Sequence, residues 1–63
     1  MELWIARDKY GSLYVYDKKP LKHEEFGFFA SLASNGYKFQ IHRKYFPEVT
    51  WENSPKKVKM ELV

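Results

Sequence analysis

Sixty-three residues are enough for one domain, and aromatic residues make up 19% of them, so a small core must be built from large rings. There is no cysteine, which excludes a disulfide-stapled scaffold and a thiolate zinc site and makes a cytoplasmic setting the expected one. The formal charge of +3, with acidic residues mixed throughout, leaves nucleic-acid binding open without arguing for it.

The first segment, Met1-Glu2-Leu3-Trp4, carries no basic leader, and no run approaches the roughly 20 apolar residues of a membrane helix. No secretory signal and no membrane partner are expected. Leu3–Arg7 and Ser12–Asp17 read as two strands around Asp8-Lys9-Tyr10-Gly11. Gly11 suits the left-handed position that closes a type I turn with a bulge. If Asp8 faces Ser12, Ile5 faces Val15 and Trp4 faces Tyr16. One face of the hairpin then carries Leu3, Ile5, Leu13 and Val15, and the other Trp4, Ala6, Tyr14 and Tyr16. A slip of one residue would mix the two sets.

Lys18-Lys19-Pro20 ends the second strand, because proline cannot donate to a ladder. Leu21–Ser34 is ambiguous. Phe26, Phe29, Ala30 and Ala33 sit at helical spacing, with Glu24 and Glu25 suited to a helix start. The favoured reading makes Phe26–Leu32 a strand that turns at Asn35-Gly36 into the alternating Tyr37–His42, since Asn-Gly between apolar runs is a strong hairpin signal. Gly27 also weakens a short helix. Arg43–Val49 is expected as a helical turn or loop packed down by Phe46. Thr50–Glu52 is expected as a short extended piece and Asn53-Ser54-Pro55 as a turn. Lys57–Val63 is the last strand, returning beside the first or extending an edge, with Val58, Met60 and Leu62 on its buried face. The expected fold class is all-β, or α+β if Leu21–Ser34 is helical. It is a single antiparallel sheet of four to five strands, curled or barrel-like.

Two stretches carry a resemblance. They are Ala6–Tyr16 followed by Lys19-Pro20, and Phe46–Pro55 followed by a lysine-rich alternating strand. Together they resemble a group of short uncharacterised proteins of gut bacteria and of their phages and mobile elements. The resemblance implies a free-standing small domain, with origin in mobile DNA as an expectation, and transfers no functional residue.

Catalysis is not expected. The serines (12, 31, 34 and 54) and the histidines (23 and 42) form no nucleophile motif, and no glycine-rich phosphate loop is present. His23, Glu24, Glu25 and His42 do not have the spacing of a metal site, and His42 reads as a solvated side chain. No cofactor is implied.

The Trp4/Tyr14/Tyr16 face is the sharpest feature. It is either core, covered by the loop carrying Phe46 and Trp51, or an interface with a protein, or a stacking platform for single-stranded nucleic acid. Candidate binding residues are Trp4, Tyr14, Tyr16 and Trp51, with Lys18, Lys19, Arg43 and Lys44 as cations. The expected function is a non-catalytic protein-interaction module, self-associating through an aromatic sheet face or a strand edge. The alternative is a nucleic-acid-binding accessory protein that uses basic residues beside the aromatic face. A continuous basic stripe beside the rings would favour nucleic acid, and a neutral aromatic patch would favour protein.

Overall fold

A computed structural model describes residues 2–31 and 36–59. Within them the chain is all-β and holds no helix. Its strands are β1 (Glu2–Arg7), β2 (Leu13–Tyr16), β3 (Leu21–His23), β4 (Phe28–Ala30), β5 (Lys38–Ile41) and β6 (Lys56–Lys59). They form two antiparallel sheets, one ordered β5-β2-β1-β6 and one made of β3 and β4. The larger sheet does not close into a barrel.

The first hairpin has the expected register, with Trp4 opposite Tyr16 and Ile5 opposite Val15. The Asp8 amide donates to the Ser12 carbonyl at 2.9 Å, and Gly11 takes φ +98°. One Asp8 carboxylate oxygen accepts from the amides of Tyr10 and Ser12, each at 2.9 Å, so the turn is held by its own side chain. β6 returns antiparallel beside β1, with Val58 opposite Leu3. Its continuation through Met60 and Leu62 lies outside the described residues.

The expected hairpin between Phe26–Leu32 and Tyr37–His42 does not form. β4 pairs with β3, and β5 pairs with β2. Leu32 and Asn35, which belonged to that reading, lie outside the described residues. The reason is burial. β5 places Ile41 opposite Leu13, where it packs on that apolar face, and Phe39 opposite Val15, where the ring stays 60% exposed, and it pairs the edge that β2 would otherwise leave open. β4 is satisfied locally instead. The Gly27 and Phe26 amides donate to the His23 carbonyl at 2.9 and 3.2 Å, closing a tight turn. Gly27 sits at φ +78°, and a Cβ there would meet Lys9 and Tyr10 at 3.1 Å. The Lys9 amide donates to the Gly27 carbonyl at 2.9 Å, so the tip of the second hairpin is seated on the turn of the first.

The central strands β1 and β2 of the larger sheet are packed on both faces. On face one, Ile5, Leu13 and Val15 pack with Val49, flanked by Leu3, Ile41 and Val58. On face two, Ala6 and Tyr16 pack with Phe29 of β4, flanked by Trp4, Tyr14 and Trp51. The segment between β5 and β6 therefore straddles the end of β1, giving Val49 to one face and Trp51 to the other.

Two expectations about that segment are corrected. Val49, and not Phe46, enters the core; Phe46 has φ +51° and is 40% exposed. Trp51 lies in a turn and not in an extended piece. The physical cause is Arg7. Its Nε donates to the Val49 carbonyl at 2.6 Å. Its Nη1 donates to the carbonyls of Gly11 and Arg43 at 2.9 and 3.1 Å. Its Nη2 donates to those of Tyr45 and Phe46 at 3.0 and 3.2 Å. All the guanidinium donors are used, so the loop is wound around a cation by its backbone and leaves Phe46 at the surface. The Arg7 amide also donates to Ser54 Oγ at 3.0 Å, while that hydroxyl donates to the Thr50 carbonyl. A reciprocal pair, Thr50 amide to Asn53 Oδ1 at 2.7 Å and Asn53 amide to Thr50 Oγ1 at 3.2 Å, finishes the turn.

Candidate interaction surfaces

The residues singled out in the sequence fall into three places. Tyr16 is core, only 1% exposed, and its hydroxyl donates to the Phe29 carbonyl at 3.4 Å. Trp4, Tyr14 and Trp51 are half-buried around it. The cover comes chiefly from the β3–β4 hairpin, through Phe29; of the loop carrying Phe46 and Trp51, Trp51 takes part, meeting Phe29 edge-on at 5.4 Å, and Phe46 does not. The third place is the loop over face one. Arg43 gives its carbonyl to Arg7 there, and Lys44 lies 5.4 Å from the Tyr45 ring. Arg43 and Lys44 thus stand apart from the face-two aromatics.

Lysines do converge on face two. Lys57 lies opposite Trp4, Trp4 opposite Tyr16, and Tyr16 opposite Lys38, so one cross-strand row reads Lys57-Trp4-Tyr16-Lys38. Lys19 and Lys57 approach the Trp4 ring at 5.5 and 5.8 Å, and Lys38 approaches Tyr14 at 4.9 Å. Lys22, on the inner face of β3, lies 4.5 Å from the Trp51 ring and donates to the Trp51 carbonyl at 2.7 Å. Lys18 is exposed beyond the end of β2. Two carboxylates share the region. Glu2 pairs with Lys57 at 3.1 Å, and Asp8 lines a cleft of about 140 Å³ between β4 and face two, beside Tyr14, Tyr16 and Lys38. A cleft of that size is below the usual range for a small-molecule site.

Burial pushes the Tyr16 hydroxyl up to about 12, with the nearby Tyr14 and Asp8 adding to the effect. The folded state therefore holds this proton more tightly than the unfolded chain. The stabilisation is complete below about pH 10, the ordinary tyrosine value, and is lost as pH rises through about 12. We expect urea midpoints to fall as pH rises from 10 through 12. Tyr16→Phe should flatten that fall. An equally steep fall in Tyr16→Phe would assign it to other groups.

A second surface was not singled out in the sequence. β3 and β4 place His23 opposite Phe28 and Leu21 opposite Ala30, all facing away from the larger sheet, while Lys22 and Phe29 face inward. Leu21 is 47% exposed, Phe26 58% and Phe28 43%. The Phe26 and Phe28 rings stack at 5.6 Å and 26°, and His23 lies 5.8 Å from Phe28 and 6.4 Å from Phe26. Tyr10 extends the patch, its hydroxyl donating to the Phe26 carbonyl at 3.4 Å. The available signal was the parity of Leu21/His23 and Phe26/Phe28. It was masked by Phe29, which makes the run aromatic on both parities.

Among the described residues no three histidine, aspartate or glutamate side chains gather as a metal site, and no helix is long and apolar enough to cross a membrane. No protein family, curated protein or solved structure matches the chain.

Proposed function

We propose that this protein is a non-catalytic interaction module that pairs with a second copy of itself through the outer face of the β3–β4 hairpin. One observation carries this reading: a hairpin already committed to the core through Phe29 presents Leu21, Phe26 and Phe28 outward as stacked, exposed rings and an aliphatic side chain. Contiguous exposed apolar surface of this kind marks an interaction site. A second copy is the occupant this surface fits, because an apolar ring patch can meet its own copy about a twofold axis, and the carboxylate contact at its ring cluster, Glu25 at 3.8 Å from His23, is internal. Face two, lined with lysines, would repel its own copy. A cysteine-free chain supports a cytoplasmic setting. The resemblance of its two motif stretches to small proteins of gut bacteria and phages supports an origin in mobile DNA.

Sedimentation equilibrium over a range of concentrations tests the proposal. Wild type should pass from monomer to dimer mass, and Phe26→Ser should weaken pairing about tenfold or more, as expected for an aromatic at the centre of an interface. Phe26 is a surface side chain, so the folded state should persist. A wild type that stays monomeric at high concentration would remove the reading.

A further inference from the structure

We infer that face two binds single-stranded nucleic acid, with lysines on its phosphates and the Trp4 ring against a base. The inference is independent of the pairing proposed for the outer hairpin face, which lies on the opposite side of β3–β4. Its basis is the β1–β6 side of that face, where the half-buried Trp4 ring has Lys57 opposite it and Lys19 over it. Lys38 adds a third cation on β5, about 14 Å across the sheet from Lys57 at roughly 4.8 Å per strand. Tyr16, between them, is buried under Phe29 and takes no part, and Lys22 is held inward by the Trp51 carbonyl.

The lysine–ring contacts set the mechanism. Lys19 and Lys57 sit 5.5 and 5.8 Å from the centre of the Trp4 ring, and neither is hydrogen-bonded to it. An exposed cation–π contact is weaker than the stacking of a base on an aromatic ring. A phosphate can therefore draw the ammonium aside and open the ring to the adjoining base. Glu2, 3.1 Å from Lys57, competes with that phosphate and weakens binding. A duplex offers phosphates but keeps its bases stacked inside, so it can satisfy the lysines and not the ring. An acidic peptide has the same deficiency.

Titration of the full chain with fluorescein-labelled oligo(dT), a duplex of equal length and polyglutamate tests this. Three lysines on phosphates predict a slope of log affinity against log salt near −2, at about −0.7 per contact on a single strand. That is roughly a twentyfold loss between 50 and 200 mM salt. Lys38→Gln with Lys57→Gln, both surface changes, should cut the slope to about a third, and Glu2→Gln should raise affinity. Quenching of tryptophan fluorescence should accompany oligo(dT) and be absent with polyglutamate. Failure to bind oligo(dT) at low salt would overturn the inference. So would equal affinity for duplex or polyglutamate, or a slope unchanged in the double variant. Sedimentation reads the pairing separately, so either conclusion can fail without the other.

Discussion

Arg7→Ala is expected to remove a third or more of the stability of the fold. All five acceptors of the guanidinium are backbone carbonyls, four of them in the segment that joins β5 to β6. A hydrogen bond from a charged donor contributes about 1.5–3 kcal/mol net when its surroundings are dry. Two of the five, to Val49 and Gly11, are partly buried, and water can replace the three at the surface. The expected loss is therefore roughly 3–6 kcal/mol, against a total of roughly 3–9 kcal/mol for a chain of this length. Arg7→Lys keeps the charge but gives up the planar fork, and an ammonium cannot span carbonyls arranged around it. It should recover less than half of the loss. Urea unfolding followed by tryptophan fluorescence reads both variants. A loss below about 1 kcal/mol in Arg7→Ala would mean that the loop holds itself through Thr50, Asn53 and Ser54.

Phe29→Ala is the second large effect, at roughly 3–5 kcal/mol. Phe29 is 3% exposed and is the buried side chain through which the smaller sheet enters the face-two core. Its removal leaves a cavity beneath Tyr16 and takes away the ring against which Trp51 stands. The emission of Trp51 should shift to the red, and the amides of β3 and β4 should exchange much faster than those of β1 and β2. The neighbouring Phe28→Ala makes the control, since Phe28 faces the other way and is 43% exposed. At concentrations that keep the chain monomeric it should cost less than about 1 kcal/mol. Equal costs for the two would contradict the assignment of inner and outer faces.

These residues also mark what the sequence made legible. The first hairpin was readable because its alternation is clean on both faces and Gly11 fixes the turn, so register followed from chemistry that acts within a few residues. β6 was readable for the same reason, through Val58 between lysines. The partner of β4 was not. Phe26-Gly27-Phe28-Phe29-Ala30 is apolar on both parities, and period two cannot say which ring is core until the surface it docks on is known. Asn35-Gly36 added a strong local signal, but the burial of Leu13 and Val15 by β5 outweighed it. Arg7 was legible only as the end of a strand, because its carbonyl partners lie up to 42 residues away. The face-two aromatics were recognised as a cluster; their covering by Phe29 and Trp51 is a tertiary outcome. The outward patch of Leu21, Phe26 and Phe28 went unseen for the same reason, because an outer face exists only once an inner face has been chosen.

The central claim is that this outward patch is where the protein meets its second copy. Mixing uniformly ¹³C,¹⁵N-labelled chain with unlabelled chain and recording isotope-filtered nuclear Overhauser effects tests it most directly. The account predicts intermolecular contacts from the methyls of Leu21 and Ala30 to the rings of Phe26 and Phe28, and none from Trp4 or Tyr14. Intermolecular contacts confined to face two, or their absence at concentrations well above a millimolar, would contradict it.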